Sequence, residues 1–183
     1  MENPNTLLAL RRDKAAALAA EGVALYGNRF KAPQHLAEIL PQGEQLAAEE
    51  HDPAGTTYRV AGRIMSLRRF GKAAFFHLRD ASGEMQIYAR RDLVGETAYE
   101  HFKKWDVGDI VGAEGQLFKT RTGELSLEAS RLEMVTKSLR PLPEKFHGLT
   151  DVETRYRQRY LDMIVNPGQP RSEERRVGKE CRS

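Results

Sequence analysis

One cysteine, Cys181, stands in a chain of 183 residues. A single thiol cannot close an internal disulfide, and one Cys with scattered His cannot assemble a zinc site. A reducing compartment, the cytoplasm, is therefore the expected location. No run of residues approaches the ~18 consecutive apolar positions of a membrane span, so no membrane partner is expected. The first residues, MENPNTLLALRRDK, place a short apolar run ahead of two arginines. A secretory signal has its basic residues first and a longer apolar core, so export is not expected. Catalytic signatures are missing as well: GxSxG, the P-loop, HExxH and any tight Cys or His set. His35, His51, His77, His101 and His147 are far apart and read as surface or packing residues. Asp80 and Asp92 fall at turns, where aspartate caps backbone amides, and do not read as an acid pair. No catalytic residue and no metal site is expected in this chain.

What remains is a varied, globular composition, 40% hydrophobic and 30% charged. The formal net charge of +3 is unevenly spread. Residues 1–55 carry −3, residues 56–140 carry +4, residues 141–170 carry none and the last 13 carry +2. The middle segment is thus the part to test against a polyanion, although an excess of four also suits an ordinary solvated surface.

Residues 6–21, TLLALRRDKAAALAAE, are good helix formers, with Thr6 as the expected N-cap and Gly22 as the stop. Residues 22–34 read as a loop, followed by a short helix around His35–Leu40. PQGEQLAAEEHDPAG is turn-rich, so residues 1–55 form an N-terminal helix and connecting segment. From residue 57 the apolar period becomes two. TYRVAGRIMSLRR, AAFFHLRD and EMQIYARR read as three strands, TAYEHFKKW as a helix, and IVGAEGQLFKT and LSLEASRLEMV as two more strands. Gly62 suggests a bulge or bend in the first of them. Val60, Ile64, Phe76, Leu78, Met85, Ile87, Ile110, Leu125 and Leu127 are the expected interior. Five strands with a helix between the third and fourth is the layout of the OB-fold, here over residues 56–137. An SH3-like barrel normally lacks that helix. LRPLPEKFHGLTD then reads as an extended linker and DVETRYRQRYLDMIV as one charged amphipathic helix, together residues 138–167. The fold class is mainly β, with flanking helices.

OB barrels hold single-stranded nucleic acid by stacking bases on aromatic rings and pairing phosphates with basic residues. The first hairpin offers Arg68, Arg69, Lys72, Phe75, Phe76 and His77. Phe75 and Phe76 are adjacent on a strand, so one faces the core and one faces out; the pattern does not say which. Gln86 and Glu124 lie near the same surface and could read base edges, though a Glu in a TGEL turn is also an ordinary turn residue. Arg69, Lys72, Lys119 and Arg121 are candidate phosphate contacts.

Three blocks carry a specific resemblance: AGRIMSLRRFGKAAFFHLRDASGEMQIYARRDL, FKKWDVGDIVGAEGQLFKTRTGELSL and LRPLPEKFHGLTDVETRYRQRYLDMIVNP. Together, between about residues 6 and 167, they resemble bacterial-type class II lysyl-tRNA synthetase. The second and third blocks favour the lysyl family over the aspartyl and asparaginyl synthetases, which share the barrel. The resemblance implies an N-terminal OB-fold that grips the anticodon loop of tRNA(Lys). It implies that Phe75 stacks on the central anticodon uridine while Arg68, Gln86 and Glu124 surround and read it, leaving Phe76 to the core. It further implies a C-terminal catalytic domain using ATP and Mg2+, and a homodimer. None of that domain's signatures follows Pro167 here. The final RSEERRVGKECRS resembles a translated sequencing adapter, so residues 168–183 read as a non-native tail rather than an RNA-binding extension. The expectation is an anticodon-binding portion without the catalytic domain, inactive on its own and with no cofactor in this chain. The alternatives are a free-standing single-strand-binding module, which predicts weak base preference and steep salt dependence, the same domain of an aspartyl or asparaginyl synthetase, and a protein-binding barrel, which predicts no RNA affinity.

Overall fold

The computed structural model describes residues 4–27, 29–143 and 152–166. The chain divides into two compact units, residues 1–141 and 142–183. The first begins with α1 (Pro4–Ala20), a 17-residue helix that buries Ala15 and Leu18. Thr6 is not its N-cap. The helix starts at Pro4, whose fixed φ suits a first helical turn, and Thr6 lies inside it. A short helix, α2 (Leu36–Ile39), follows. Its first amide, from Leu36, donates to Asp80 Oδ2 at 2.9 Å, and Ala37 N donates to Ser82 Oγ at 3.0 Å. Asp80 is therefore the turn cap expected of it, tying the N-terminal segment to a hairpin. Burial alone would raise its pKa, but hydrogen bonds from Leu36, Ser82 and Gly83 outweigh burial and hold it below the ordinary value.

Five strands then close a barrel: β1 (Thr57–Phe70), β2 (Ala73–Arg79), β3 (Glu84–Arg90), β4 (Ile110–Lys119) and β5 (Leu125–Thr136). Their order around it is β1-β2-β3-β5-β4, with β3 and β5 parallel and the other neighbours antiparallel. Between β3 and β4 lie α3 (Arg91–Val94) and α4 (Glu96–Lys103). Tyr99 and Phe102 of α4 are buried, and Phe102 packs on Phe76 (5.6 Å between ring centres) and on Trp105 (5.3 Å). This is the OB-fold expected from the strand pattern. The helix that plugs the barrel is also what the SH3-like alternative lacks.

The interior holds Val60, Ile64, Phe76, Leu78, Met85, Ile87 and Leu127, as the alternation predicts. Ile110 and Leu125 are only partly buried, against that expectation, although Leu125 still packs on the edge of the core. On β4 the inward set is Val111, Ala113 and Leu117, one position out of step with Ile110. Leu125 instead packs over Gly43, where any Cβ would come within 2.2 Å of its Cδ1.

The bulge expected at Gly62 sits elsewhere. Pairing of β1 with β2 slips between Ile64 and Ser66, so Met65 is the extra residue. Gly62 marks a close approach, because a Cβ there would lie 2.5 Å from the carbonyl oxygen of Arg79. The slip at Met65 reverses the alternation of β1. Tyr58, Val60 and Ile64 face inward before it, and Leu67 packs against the core after it. Ser66, Arg68 and Phe70 are thereby turned outward.

A buried ion cluster fastens the barrel's end. The Lys137 ammonium, 0% exposed, donates to Asp106 Oδ2 at 2.7 Å and Asp109 Oδ2 at 2.8 Å. Asp109, also 0% exposed, accepts from the amides of Asp106 (2.7 Å) and Ser138 (2.8 Å). Lys14 of α1 reaches Asp106 Oδ1 at 2.5 Å, pinning the helix to the same point. Burial opposes ionisation of Asp106, but the two lysines outweigh it and lower its pKa.

In the second unit the expected single helix is two, α5 (Val152–Arg157) and α6 (Arg159–Val165). Gln158 breaks the helical path at φ −118 and ψ 54. Asp162 accepts from Arg155 Nε at 2.9 Å and Arg159 Nη1 at 2.5 Å, so its charge pairs bracket the break. Part of the linker, residues 144–151, and the whole tail, residues 168–183, lie outside the described residues. No helix among the described residues is long and apolar enough to cross a membrane.

Lys137→Met leaves Asp109 buried without its cation, and such a loss costs about 3–5 kcal/mol. Urea unfolding followed by circular dichroism should show that loss; a change below about 1 kcal/mol would mean the cluster is not the clamp described.

Candidate nucleic-acid interface

Strand register lines up outward-facing side chains in rows. Ser66 lies opposite His77, His77 opposite Gln86, and Gln86 opposite Ser126. One step along, Arg68 lies opposite Phe75, Phe75 opposite Tyr88, and Tyr88 opposite Glu128. These are alternate positions on each strand, so both rows stand on the outer face. Above them, the turn Thr120–Glu124 closes β4 to β5. Gly123, at φ +84, takes a conformation that side chains rarely adopt, and its amide donates to the Thr120 carbonyl at 2.8 Å. The Glu124 amide donates to Thr120 Oγ1 at 3.0 Å, which fixes the base of that side chain.

Together these elements line a groove of about 370 Å³ that includes Arg68, Phe70, Phe75, Gln86, Arg121 and Glu124. Four residues singled out from the sequence as base readers thus share one surface. Phe75 lines the groove while Phe76 is 0% exposed in the core. The Phe75 ring is backed by Tyr88, stacked at 4.4 Å with only 14° between planes, and meets Phe70 edge-on at 6.3 Å. Tyr88 in turn contacts Phe118, which stacks on His51.

The polar groups form one chain. Gln86 Nε2 donates to Glu124 Oε2 at 2.6 Å, and Gln86 Oε1 accepts from Ser126 Oγ at 2.7 Å. His77 Nε2 lies 3.0 Å from the other Glu124 oxygen, and its Nδ1 lies 2.7 Å from Ser66 Oγ. The amide of Gln86 is oriented by these bonds, because its oxygen faces a hydroxyl and its nitrogen a carboxylate.

The candidate phosphate contacts separate. Arg121 is on the groove wall. Lys72 borders a neighbouring hollow with Tyr88, Arg90 and Arg91, behind the Phe75–Tyr88 stack. Arg69 points elsewhere: it falls on the opposite phase from Arg68, donates to the Trp105 carbonyl at 2.6 Å and lies over the Phe102 ring. Burial lowers its pKa, opposed by Asp106, Tyr99 and Asp109. The Lys119 ammonium donates to the carbonyls of Glu44 (3.1 Å) and Leu46 (2.7 Å), which holds the N-terminal segment.

Residues 58–135 match a tRNA anticodon family described as an OB-fold nucleic acid binding domain. The barrel is an OB-fold similar to that family over these residues. The chain is 51% identical to a lysine–tRNA ligase of Streptococcus suis over 165 residues, covering 90% of this chain and 33% of that protein. It is 48% identical to the Bacillus subtilis lysine–tRNA ligase, over 91% of this chain and 33% of the relative. It is 53% identical to one from Anaeromyxobacter dehalogenans, over 88% and 32%. The chain therefore spans about a third of the length of these relatives.

Ser66 and Tyr88 were not selected from the sequence, and His77 was named there on the first hairpin without a role in the site. Phe75 and His77, two apart on one strand, carry the signal for His77, and the Gln86–Tyr88 pair carries that for Tyr88. Ser66 is found only once the bulge at Met65 is known.

Proposed function

We propose that this anticodon-type OB-fold holds the anticodon loop of tRNA(Lys), and that the chain is the tRNA-binding portion of a class II lysine–tRNA ligase. The observation that carries this reading is the gathering of Arg68, Phe75, Gln86 and Glu124 on one groove of the barrel. A pyrimidine stacked on Phe75 gains ~1–3 kcal/mol. A uracil edge offers an N3–H donor between two carbonyl acceptors. Glu124, as a carboxylate, accepts from N3–H. Arg68 donates to a carbonyl, and so does the second hydrogen of Gln86 Nε2, whose first is used by Glu124. Arg121 and Lys72 supply positive charge for the flanking phosphates.

The complete enzyme in this reading joins lysine to the 3′ end of tRNA(Lys) in the cytoplasm, as a homodimer, using ATP and Mg2+. Among the described residues no group of three His, Cys, Asp or Glu could hold a metal ion. In this reading the ATP and magnesium chemistry belongs to the part of the relatives that this chain does not span. This chain keeps the binding step alone.

Fluorescence anisotropy with an anticodon stem-loop bearing UUU tests the site. Phe75→Ala should weaken binding about 10- to 100-fold and Glu124→Ala about tenfold, from the stacking and charged hydrogen-bond energies lost. Unchanged affinity in both variants would sink the assignment. The chain should also show no lysine-dependent exchange of pyrophosphate into ATP; measurable exchange would contradict its being the binding portion only.

A further inference from the structure

The geometry points to a role for Ser66 and His77 that no base contact requires: we infer that they form a positioning relay that keeps Glu124 a hydrogen-bond acceptor and so sets the preference for uracil. This rests on the reading of the groove as an anticodon site. His77 sits between two fixed partners, Ser66 Oγ at 2.7 Å on Nδ1 and Glu124 Oε1 at 3.0 Å on Nε2. A neutral imidazole has one N–H. If that hydrogen were on Nδ1, the bare Nε2 lone pair would face a carboxylate oxygen, two acceptors in contact. A serine hydroxyl, by contrast, can donate to Nδ1. The contact pattern therefore selects the tautomer with hydrogen on Nε2, and the imidazolium also presents Nε2–H to Glu124. In both forms His77 donates to the carboxylate.

Gln86 donates to the second oxygen, at 2.6 Å. Glu124 is thus held from two sides and aimed, with lone pairs left for the base. Uracil brings an N3–H to such a group. Cytosine brings an N3 lone pair, which the carboxylate repels. The discrimination therefore depends on Glu124 not swinging away, and Ser66 and His77 resist that without touching the base. Ser66 is a positioning residue for His77, and His77 for Glu124.

Two readouts on the full chain test the relay. The first is the 15N resonance pair of the His77 ring in the free protein. Wild type should show an unprotonated Nδ1 and a protonated Nε2 in the neutral form, and Glu124→Ala, which removes the carboxylate that selects this tautomer, a mixture of the two. The second is the ratio of affinities for UUU and UCU stem-loops. Ser66→Ala and His77→Leu should each lower that ratio about tenfold, the weight of a hydrogen bond to a charged group. His77→Gln should restore most of it, because its amide can place an N–H near the position of Nε2. A wild-type Nδ1–H tautomer overturns the relay, as does an unchanged ratio in both Ser66→Ala and His77→Leu. Failure of the wild-type chain to bind UUU at all would overturn the anticodon reading as well, so the two failures are distinguishable.

Discussion

The parallel pairing of β3 with β5 is the constraint on which both fold and groove depend. It sets Gln86 beside Ser126, Ile87 beside Leu127 and Tyr88 beside Glu128. The inward members close the core, and the outward members join the two halves of the groove. A parallel pair cannot be made by a tight turn, so the chain must leave β3, cross the barrel and return. The crossing contains α3, α4 and β4. Its helix plugs the barrel with Tyr99 and Phe102, and the return through β4 delivers the Thr120–Glu124 turn above Gln86. Lys137, Asp106 and Asp109 then lock the far end of β5 to the loop that launches β4.

Much of this was legible in the sequence because its cause is local. Period-two alternation marked all five strands, and apolar spacing at Ala98, Tyr99 and Phe102 marked the helix between β3 and β4. What was not legible depends on register. Gly62 looked like the bulge because glycine in a strand often is one, yet Met65 carries it, and no local rule distinguishes the two. That single slip turns Arg68 outward and Arg69 toward Trp105, so two adjacent arginines of like chemistry have unlike roles. Ile110 was placed in the core one position out of step for a similar reason, since β4 begins with a slip against β5.

The site residues were legible one at a time and not as a network. Glu124 and Gln86 were read as separate base contacts, but each satisfies the other before any base arrives. A groove so arranged needs little reorganisation on binding, and the ordering cost is met when the chain folds. The local charge is also nearly balanced: Arg68 and Arg121 share the groove with Glu124, and Arg90 and His51 reach Glu128 beside it. The excess of four positive charges over residues 56–140 is thus not a uniform basic coat. It leaves room for recognition by shape and base edge as well as by phosphate.

The proposed binding mode places RNA on the Phe75 face of the barrel. Its most direct test is an NMR titration of the isotope-labelled chain with the UUU anticodon stem-loop. The largest shift changes are expected at Arg68, Phe75, His77, Gln86 and Glu124, with little change at the hollow lined by Gly22, Tyr26, His101 and Met134. Shifts concentrated on that second hollow, or a groove left unperturbed at saturating RNA, would contradict it.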